Sequence, residues 1–320
     1  MRTVTRELIL AATAAASSHN TQPWKFLVQG QRITILPDLT RRCPAVDPDD
    51  HHLYASLGCA AENLVWAARA AGLHAQVTCD PAYRSVVIEL ETMTGEATTL
   101  SQAIPLRQCT RSLYDGAELS NETLRQIEVA GQGNGVSMRL ITDRQQMEQV
   151  AEYVAAGNTT QFADQHWRKE LQAWVRFNEA DAQRLGDGLY GPAMGSPRVP
   201  RWLGSLFMKL GFSAPKQNRK DIAHIRSSAA VAVFISEHDN PCGWMEAGRC
   251  YERLALQATA LDIRSAFINQ PVEVALLRAQ FASFLGIDQR RPDLVVRLGH
   301  GPTMPRSFRR PVEDVMVEAS

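Results

Sequence analysis

Residues 17–26 read "SSHNTQPWKF" and join an alanine-rich helical run to the expected start of a strand. Short polar residues are common at a helix end, where their side chains satisfy free backbone groups. The succession of Asn20, Gln22 and Trp24 is less common, because it places directed hydrogen-bonding groups beside a large apolar ring. Helix capping alone therefore does not explain this segment.

The composition is typical of a soluble globular protein with one large domain or two ordinary ones. The sequence has 320 residues, of which 45% are hydrophobic and 21% are charged. A formal net charge of zero argues against nucleic acid or an anionic membrane as the main partner. No stretch approaches the ~20 apolar residues of a membrane span, and the first residues lack a secretory signal. We therefore predict a cytoplasmic protein without a membrane or nucleic-acid partner.

The cysteines predict reduced thiols. They form no CxxC pair, and a chain of this size does not depend on covalent cross-links. The thiols concerned are Cys43, Cys59, Cys79, Cys109, Cys242 and Cys250.

Apolar periodicity predicts a mixture of helices and paired strands. Helices are expected at 6–16, 50–71 and 243–261, and two strands are expected to form a hairpin around Gly30. Further strands are expected at "HAQVTCD" (74–80), "SVVIELE" (85–91) and "DLVVRLG" (293–299).

The two long helices also resemble each other. Setting 58–74 over 248–264 matches Gly58 with Gly248, Glu62 with Glu252 and Leu64 with Leu254. The match indicates two versions of one structural unit, although two alanine-rich amphipathic helices can also share such a pattern by coincidence.

Residues 157–220 interrupt this similarity. They begin as a helix and continue as a Gly/Pro-rich stretch that carries Trp and Met. A long segment of this kind is typical of a lid or binding loop, and the alternative is a surface excursion that covers exposed core.

Familiar catalytic motifs are absent, since the sequence has no HExxH, Walker loop, GxSxG or GxGxxG. The "DDHH" at 49–52 could hold a metal, but a solvated helix start explains it more simply. Cys109 could be a nucleophile between Arg107 and Arg111, yet no histidine is fixed beside it by sequence. We therefore predict neither a metal site nor a catalytic side chain.

Arginines provide a candidate anion site. Arg107 and Arg111 lie four residues apart around small side chains, and "FRRP" at 308–311 adds positive charge. Guanidinium groups bind phosphate oxygens in bidentate fashion, so these residues suit a phosphate ligand.

Together with residues 17–26, these segments resemble the FMN-dependent nitroreductase superfamily. "AASSHNTQPWKF" (15–26) is similar to its signature between the first helix and first strand, and "RQCTRSLYDG" (107–116) is similar to its phosphate-binding segment. The closing strand and basic tail also match. The run "GW…AG…ERL…AT.L…NQP.E" over 243–273 resembles the Acg-like branch, in which two halves are fused in one chain.

The resemblance implies a fold and a division of the chain. It implies an α+β nitroreductase-like fold, with a central, mainly antiparallel sheet flanked by helices. The first half would be 1–103 and the second 104–320, with a lid at about 157–220. One chain could then hold a complete FMN site between its halves, while further oligomerisation stays open.

The resemblance also implies a function and a set of FMN-binding residues. The function is reduction of a small, electron-poor acceptor by NAD(P)H, with the chemistry carried by the flavin. The alternative is a non-catalytic FMN store whose lid stays closed, and a weaker alternative is a partner-binding scaffold. Cys109 stands where the family has Ser or Thr, and contact with phosphate and simple burial both remain open. The implied FMN-binding residues are Ser17, Ser18, Asn20, Arg107, Cys109, Arg111, Asn269, Gln270 and Arg309.

Overall fold

The computed structural model describes residues 2–287 and 289–317. The helices in these ranges are α1 (Arg2–Thr13), α2 (His51–Ala70), α3 (Thr99–Ala103), α4 (Asn121–Ala130), α5 (Arg144–Ala163), α6 (Gln165–Trp174), α7 (Glu179–Leu185), α8 (Arg201–Leu210), α9 (Ala214–Arg226), α10 (Pro241–Ala260), α11 (Gln270–Glu273), α12 (Ala275–Leu285) and α13 (Val312–Val315). The strands are β1 (Trp24–Gln29), β2 (Arg32–Pro37), β3 (Leu73–Asp80), β4 (Ser85–Thr92), β5 (Val136–Ile141), β6 (Val175–Arg176), β7 (Leu189–Tyr190), β8 (Ala230–Ser236), β9 (Arg264–Phe267), β10 (Arg291–Gly299) and β11 (Met316–Val317). Short 3₁₀ turns lie at Ser18–Asn20, Leu39–Arg41 and Gly191–Met194.

Most strands belong to two sheets that repeat one order. The first sheet runs β11-β1-β2-β4-β3 and the second runs β5-β8-β10-β9. Apart from β11, all neighbours in both sheets are antiparallel. In each sheet a long helix, α2 or α10, connects the second strand along the chain to the third. The predicted α+β class with mainly antiparallel strands is confirmed, and the strands are divided over two sheets.

The two sheets differ in the connection between their first two strands. Gly30 and Gln31 turn β1 into β2, and Gly30 adopts the positive φ of 64° that such a tight turn requires. Residues 142–229 separate β5 from β8 and contain α5 to α9 with β6 and β7. The insertion expected at 157–220 lies inside this connection, and it is largely helical where the sequence predicted a loop.

Two segments of the chain cross from one sheet to the other. At the C-terminal end, β11 pairs in parallel with β1, with Phe26 opposite Met316. In the middle of the chain, Cys109 forms a parallel bridge with Ser265 in β9. The backbone around the predicted phosphate segment is therefore fixed against the second sheet.

Helices α2 and α10 pack against each other in a reciprocal contact. A Cβ added to Gly58 would lie 1.8 Å from the carbonyl oxygen of Met245, and one added to Gly248 would lie 1.9 Å from that of Ala55. Gly58 and Gly248 are the pair matched in sequence. Ala55 lies three residues before Gly58, and Met245 lies three residues before Gly248. Each helix thus uses the same surface toward the other, which is the contact pattern of a two-fold interface.

Burial differs between the two sheets. β8 and β10 are buried along their whole length, whereas β3 alternates between half-buried and exposed positions. One apolar cluster joins the first sheet, α2, α10 and the inner face of the second sheet. A second cluster lies between the other face of the second sheet and helices α5, α9 and α12. The long connection therefore gives the second sheet its second cover.

Several predicted elements are confirmed, but the prediction that all six cysteines are reduced thiols is wrong. The hairpin, both long helices and the strands after α2 and before the tail lie where periodicity placed them, while α1 starts and ends earlier than expected. Cys79 and Cys242 form a disulfide between β3 and the start of α10, so these two thiols are not reduced as predicted. Cys43, Cys59, Cys109 and Cys250 are free thiols. No helix among the described residues has the length and apolar character needed to cross a membrane.

Candidate functional site

A large cavity lies where the corner at residues 17–20, helix α2 and the second sheet meet. Its volume is about 710 Å³, and its wall is mostly apolar. Helix α8 and the 3₁₀ turn Gly191–Met194 form part of the wall, so the β5–β8 connection borders this space. Its part from 175 to 210 is called the cover below. A smaller cavity of about 140 Å³ adjoins it. The two share the lining residues Ala16, Ser17, Arg111, Leu189, Met194 and Phe267.

The smaller cavity is strongly basic. Its lining residues include four arginines and no Asp or Glu. Burial lowers the pKa of Arg309 to about 9, with a further contribution from Arg107. Burial and Arg107 also lower the pKa of Arg306. A bound anion would relieve this mutual repulsion, so the smaller cavity suits a phosphate group. The four arginines are Arg107, Arg111, Arg306 and Arg309.

Arg107 has a structural partner that the sequence did not reveal. Its Nε lies 2.8 Å from Oε1 of Glu252, and both side chains are buried. Its Nη2 donates to the carbonyl of Ala14 at 2.8 Å. Arg107 therefore does more than face the expected phosphate site, because these two contacts link the end of α1 to α10.

Asn20 and Arg309 form a brace at the corner. Arg309 Nη1 donates to Asn20 Oδ1 at 2.8 Å, and its Nε donates to the carbonyl of Thr13 at 2.9 Å. The Asn20 amide donates to the carbonyls of Gly188 at 3.0 Å and Phe308 at 3.1 Å. The side chain of Asn20 therefore ties the corner to the cover and the tail, while both residues also line the smaller cavity.

Arg111 lies at the junction of the two cavities. It is half-buried and lines both of them. Its side chain has no hydrogen-bond or ion-pair partner among the described residues. Its charge lowers the pKa of His19, after the larger effect of burial. Arg111 is thus the arginine best placed to meet a ligand that spans both cavities.

The corner at residues 17–22 has an unusual backbone. His19, Asn20 and Gln22 have φ values of 48°, 54° and 52°, in the left-handed region that non-glycine residues seldom occupy. Ser17 Oγ accepts a hydrogen bond from Gln22 N at 3.1 Å, and Ser18 N donates to Ser56 Oγ at 3.3 Å. Both serines line the large cavity. The polar groups of this corner hold a strained turn against the cavity wall.

The other expected residues also reach the cavities. Asn269 and Gln270 line the large cavity, and Cys109 lines the smaller one. Asn269 Oδ1 accepts from Val295 N at 2.8 Å, and Gln270 Nε2 donates to Asn158 Oδ1 at 3.2 Å. Gln270 Oε1 is buried without a partner among the described residues. That oxygen is free to accept from a ligand.

A buried acid and histidine on the large cavity were missed by the site prediction. Glu273 Oε1 lies 3.8 Å from His52 Nε2, and Glu273 Oε2 accepts from Gln161 at 2.6 Å. Burial raises the pKa of Glu273 and lowers that of His52, so both favour their uncharged forms. Glu273 ends the "NQP.E" run and His52 ends "DDHH", but only the fold places them together.

The residues around "DDHH" form a helix start whose histidines are buried, while Asp49 is exposed as expected and Asp50 is half-buried. Asp47, His51 and His52 have potential ligand atoms within 4.8 Å of one another. The Asp47 carboxylate already accepts from the backbone of His52 and Leu53, both at 3.0 Å. His51 Nε2 lies 2.9 Å from Asp293 Oδ1. These contacts explain the cluster without a metal ion.

Comparison with known proteins gives matches over nearly the full chain. No family model matches the sequence. A "Putative NAD(P)H nitroreductase", Rv3131 of Mycobacterium tuberculosis, is 25% identical and covers 97% of this chain and 90% of its own length. The "Putative NAD(P)H nitroreductase acg" of the same species is 23% identical and covers 98% of this chain and 95% of its own.

Solved structures give weaker likenesses. A Bacteroides fragilis nitroreductase with bound FMN has a TM-score of 0.41 and 15% identity, over 67% of this chain and 95% of its own. The FMN-dependent nitroreductase NfnB of Mycobacterium smegmatis, in complex with NADPH, has a TM-score of 0.39 and 17% identity, over 65% and 94%. The sequence matches over nearly the full chain confirm its resemblance to the Acg-like branch of the nitroreductase superfamily.

Proposed function

We propose that this protein binds FMN and uses NAD(P)H to reduce a small, electron-poor acceptor. The observation that carries the proposal is the pair of adjoining cavities. One is lined by four arginines without an acid, and the other offers about 710 Å³ with a mostly apolar wall. A phosphate and a flat apolar ring need these two environments side by side. The relatives named as NAD(P)H nitroreductases support the same function.

The residues present fit this cofactor. Burial and Arg107 lower the pKa of Arg309, so a bound phosphate would stabilise its charged form. The Arg111 side chain has no partner among the described residues. Gln270 Oε1 is a buried acceptor that also lacks a partner among them. In our proposal Arg111, Arg306 and Arg309 hold the phosphate, while residues 17–18 and 269–270 border the ring.

FMN supplies hydride transfer when it is bound. The protein then has to exclude water, orient the reactants and supply protons. Apolar residues of the connection between β5 and β8, among them Leu203 and Phe207, line the large cavity and reduce its exposure to water. Burial raises the pKa of the Glu273 carboxyl group, which favours its protonated form, and this group lines the cavity beside His52. The pair is therefore suited to deliver a proton to a reduced acceptor.

We also propose that the site is built by two fused halves, 1–103 and 104–320. The repeated sheet order and the reciprocal Gly58 and Gly248 contacts support this division. Ser17 would come from the first half, and Arg111 from the second. One chain would then hold about one FMN, and dilution of any dimer should not release it. We place this activity in the cytoplasm, with no nucleic-acid partner.

The test is the flavin content of the purified protein and the effect of Arg111→Ala. Heat-released cofactor should run as FMN in chromatography, and NADPH should bleach its absorbance. Loss of one charge-assisted phosphate contact, about 1.5–3 kcal/mol, should weaken FMN binding at least tenfold. Arg32→Ala, which removes an exposed pair with Glu89, is the matched control. Recovery of FAD, or unchanged FMN affinity in Arg111→Ala, would contradict the proposal.

FMN storage remains a second candidate because the cover is firmly attached. Gln22 Nε2 donates to the carbonyl of Gly186 at 2.8 Å, and Asp187 forms ion pairs with Arg41 and Arg176. A store would bind FMN but resist reduction by NADPH. Arg41→Ala should loosen the cover by removing one of these ion pairs. If NADPH reduces both the wild-type protein and this variant, and at the same rate, the storage function is ruled out.

A further inference from the structure

Helix α8 has an unusual surface for a helix that covers a cavity. Leu203, Gly204, Phe207 and Met208 line the large cavity. Its other face carries Trp202, Leu206 and Leu210, which are 69%, 45% and 80% exposed. These three follow one another at intervals of four residues and therefore form one stripe along the helix. Single exposed apolar residues are ordinary, but a continuous stripe of large ones is not.

Basic residues predominate around this stripe, although two acids of α7 approach them: Glu179 pairs with Arg198 at 3.2 Å, and Asp181 lines a cavity with Arg201. Residues 188–220 contain six Lys or Arg and no Asp or Glu. Arg201 and Lys209 lie on α8 itself and are exposed, as are Lys216 and Arg219 on α9. The neutral charge of the whole chain predicted no membrane partner, but that average conceals a basic segment of 33 residues, counted from 188 to 220.

We propose that α8 docks on the surface of an anionic lipid membrane. A helix with Trp and Leu on one side and basic residues beside them suits the interface between headgroups and acyl chains. The basic residues would lie against anionic headgroups, each contributing attraction. A second copy of this chain suits the stripe less well, because a symmetric contact would bring two basic segments together.

The position of α8 gives the docking a consequence for the substrate, which rests on the proposed function. The same helix faces the membrane with one side and the large apolar cavity with the other. An acceptor dissolved in the lipid could therefore enter without crossing water. We infer that the acceptor is a lipophilic compound.

The experiment is co-sedimentation of the purified, flavin-loaded protein with vesicles. Vesicles of phosphatidylglycerol and phosphatidylcholine should pull down the wild-type protein, and vesicles of phosphatidylcholine alone should not. The double variant Leu206→Ser/Leu210→Ser should bind the anionic vesicles at least tenfold more weakly, because it loses the apolar part of the contact. Leu276→Ser, at a 73% exposed position on α12, is the matched control and should bind as the wild type does.

A charge variant separates lipid binding from other causes. Lys209→Glu should weaken binding at least about fivefold at low salt, since one basic residue near an anionic surface contributes about that factor.

Absence of sedimentation with anionic vesicles, or equal sedimentation of the double variant, overturns the docking. The docking is also overturned if the wild-type protein is a dimer, the double variant is a monomer, and both bind vesicles equally. If vesicles are bound but do not accelerate reduction of a long-chain quinone over a water-soluble one, only the inference about the acceptor fails. FMN content is measured separately, so failure of the proposed function is distinguishable from both.

Discussion

The two sheets share strand order and polarity but differ in what covers them. The first sheet has one face on the helices α2 and α10, and its β3 strand leaves alternate residues exposed. The second sheet is enclosed on both faces, with every residue of β8 and β10 buried. The connection between the first two strands accounts for the difference, since it is two residues in one case and 142–229 in the other. One repeated arrangement can thus carry a simple surface or a covered cavity, depending on a single connection.

The facing helices show the same mixture of likeness and difference. Gly58 and Gly248 make equivalent close contacts. Glu62 pairs with Arg249 and Arg253, whose side chains are 22% and 21% exposed. Its counterpart Glu252 pairs with Arg107, which is 2% exposed and lies at the smaller cavity. The contact that joins the helices is symmetric, and the ion pairs beside it are specialised.

The largest effect is expected from closing the helix contact. Gly58→Ala puts a methyl group 1.8 Å from a backbone carbonyl, and Gly248→Ala does the same at 1.9 Å. Because backbone atoms cannot move aside cheaply, each should cost about 5 kcal/mol or prevent folding. Chemical denaturation monitored by circular dichroism measures both. Gly286→Ala, with no atom within 4 Å and only a φ of 65° to strain it, should cost about 1–2 kcal/mol. Very different costs for the two helix glycines would argue against a reciprocal interface.

The buried ion pair should be the next most costly to break. Arg107→Ala leaves the Glu252 carboxylate buried and unpaired, which should cost about 3–4 kcal/mol of unfolding free energy. Arg253→Ala should cost about 1 kcal/mol, because Glu62 keeps Arg249 at 3.1 Å. Urea unfolding of both variants tests this difference. Equal losses would mean that the two glutamates are equivalent after all.

The disulfide connects the first sheet to α10 and should contribute next in size. Cys79 and Cys242 are 163 residues apart, so the bond restricts a long loop in the unfolded chain. Cys79→Ser/Cys242→Ser should lose about 3 kcal/mol relative to the oxidised protein. Thermal unfolding with and without reductant measures the effect, and reductant should leave the variant unchanged. Detection of six free thiols in the unreduced, denatured protein would show that the bond does not form.

The smallest effect is expected from a pH change at the corner. Burial, Arg111 and His52 lower the pKa of His19 to about 3. His19 therefore binds a proton near pH 6.5 in the unfolded state but not in the folded state. Its contribution to the free energy of unfolding is complete above pH 6.5 and is lost as the pH falls toward 3. Asparagine tolerates the φ of 48° at this position. Between pH 7 and 5 the free energy of unfolding of His19→Asn should therefore fall by about 2 kcal/mol less than that of the wild type. His74→Asn, at an exposed position in β3, is the control and should follow the wild type. Parallel pH curves for wild type and His19→Asn would contradict the assignment.

Sequence patterns predicted the elements that depend on local periodicity. The hairpin around Gly30 and the helices near 50–71 and 243–261 follow from turn chemistry and from apolar residues on one face. The nine candidate FMN-binding residues were predicted from segment resemblance, and each of them lines at least one of the two cavities. Whether they bind FMN remains a prediction, and the contacts of Arg107 and Asn20 show that part of the set also holds the fold together.

The sequence alone was enough to predict the α+β elements, the resemblance to the nitroreductase superfamily and the segments of the candidate site, because these depend on neighbours along the chain. Only the tertiary structure decided the partners of those segments. It paired Arg107 with Glu252, joined Cys79 to Cys242, and placed Glu273 beside His52. Each of these pairs is far apart in sequence, and its energy depends on distance and burial, which no local pattern specifies.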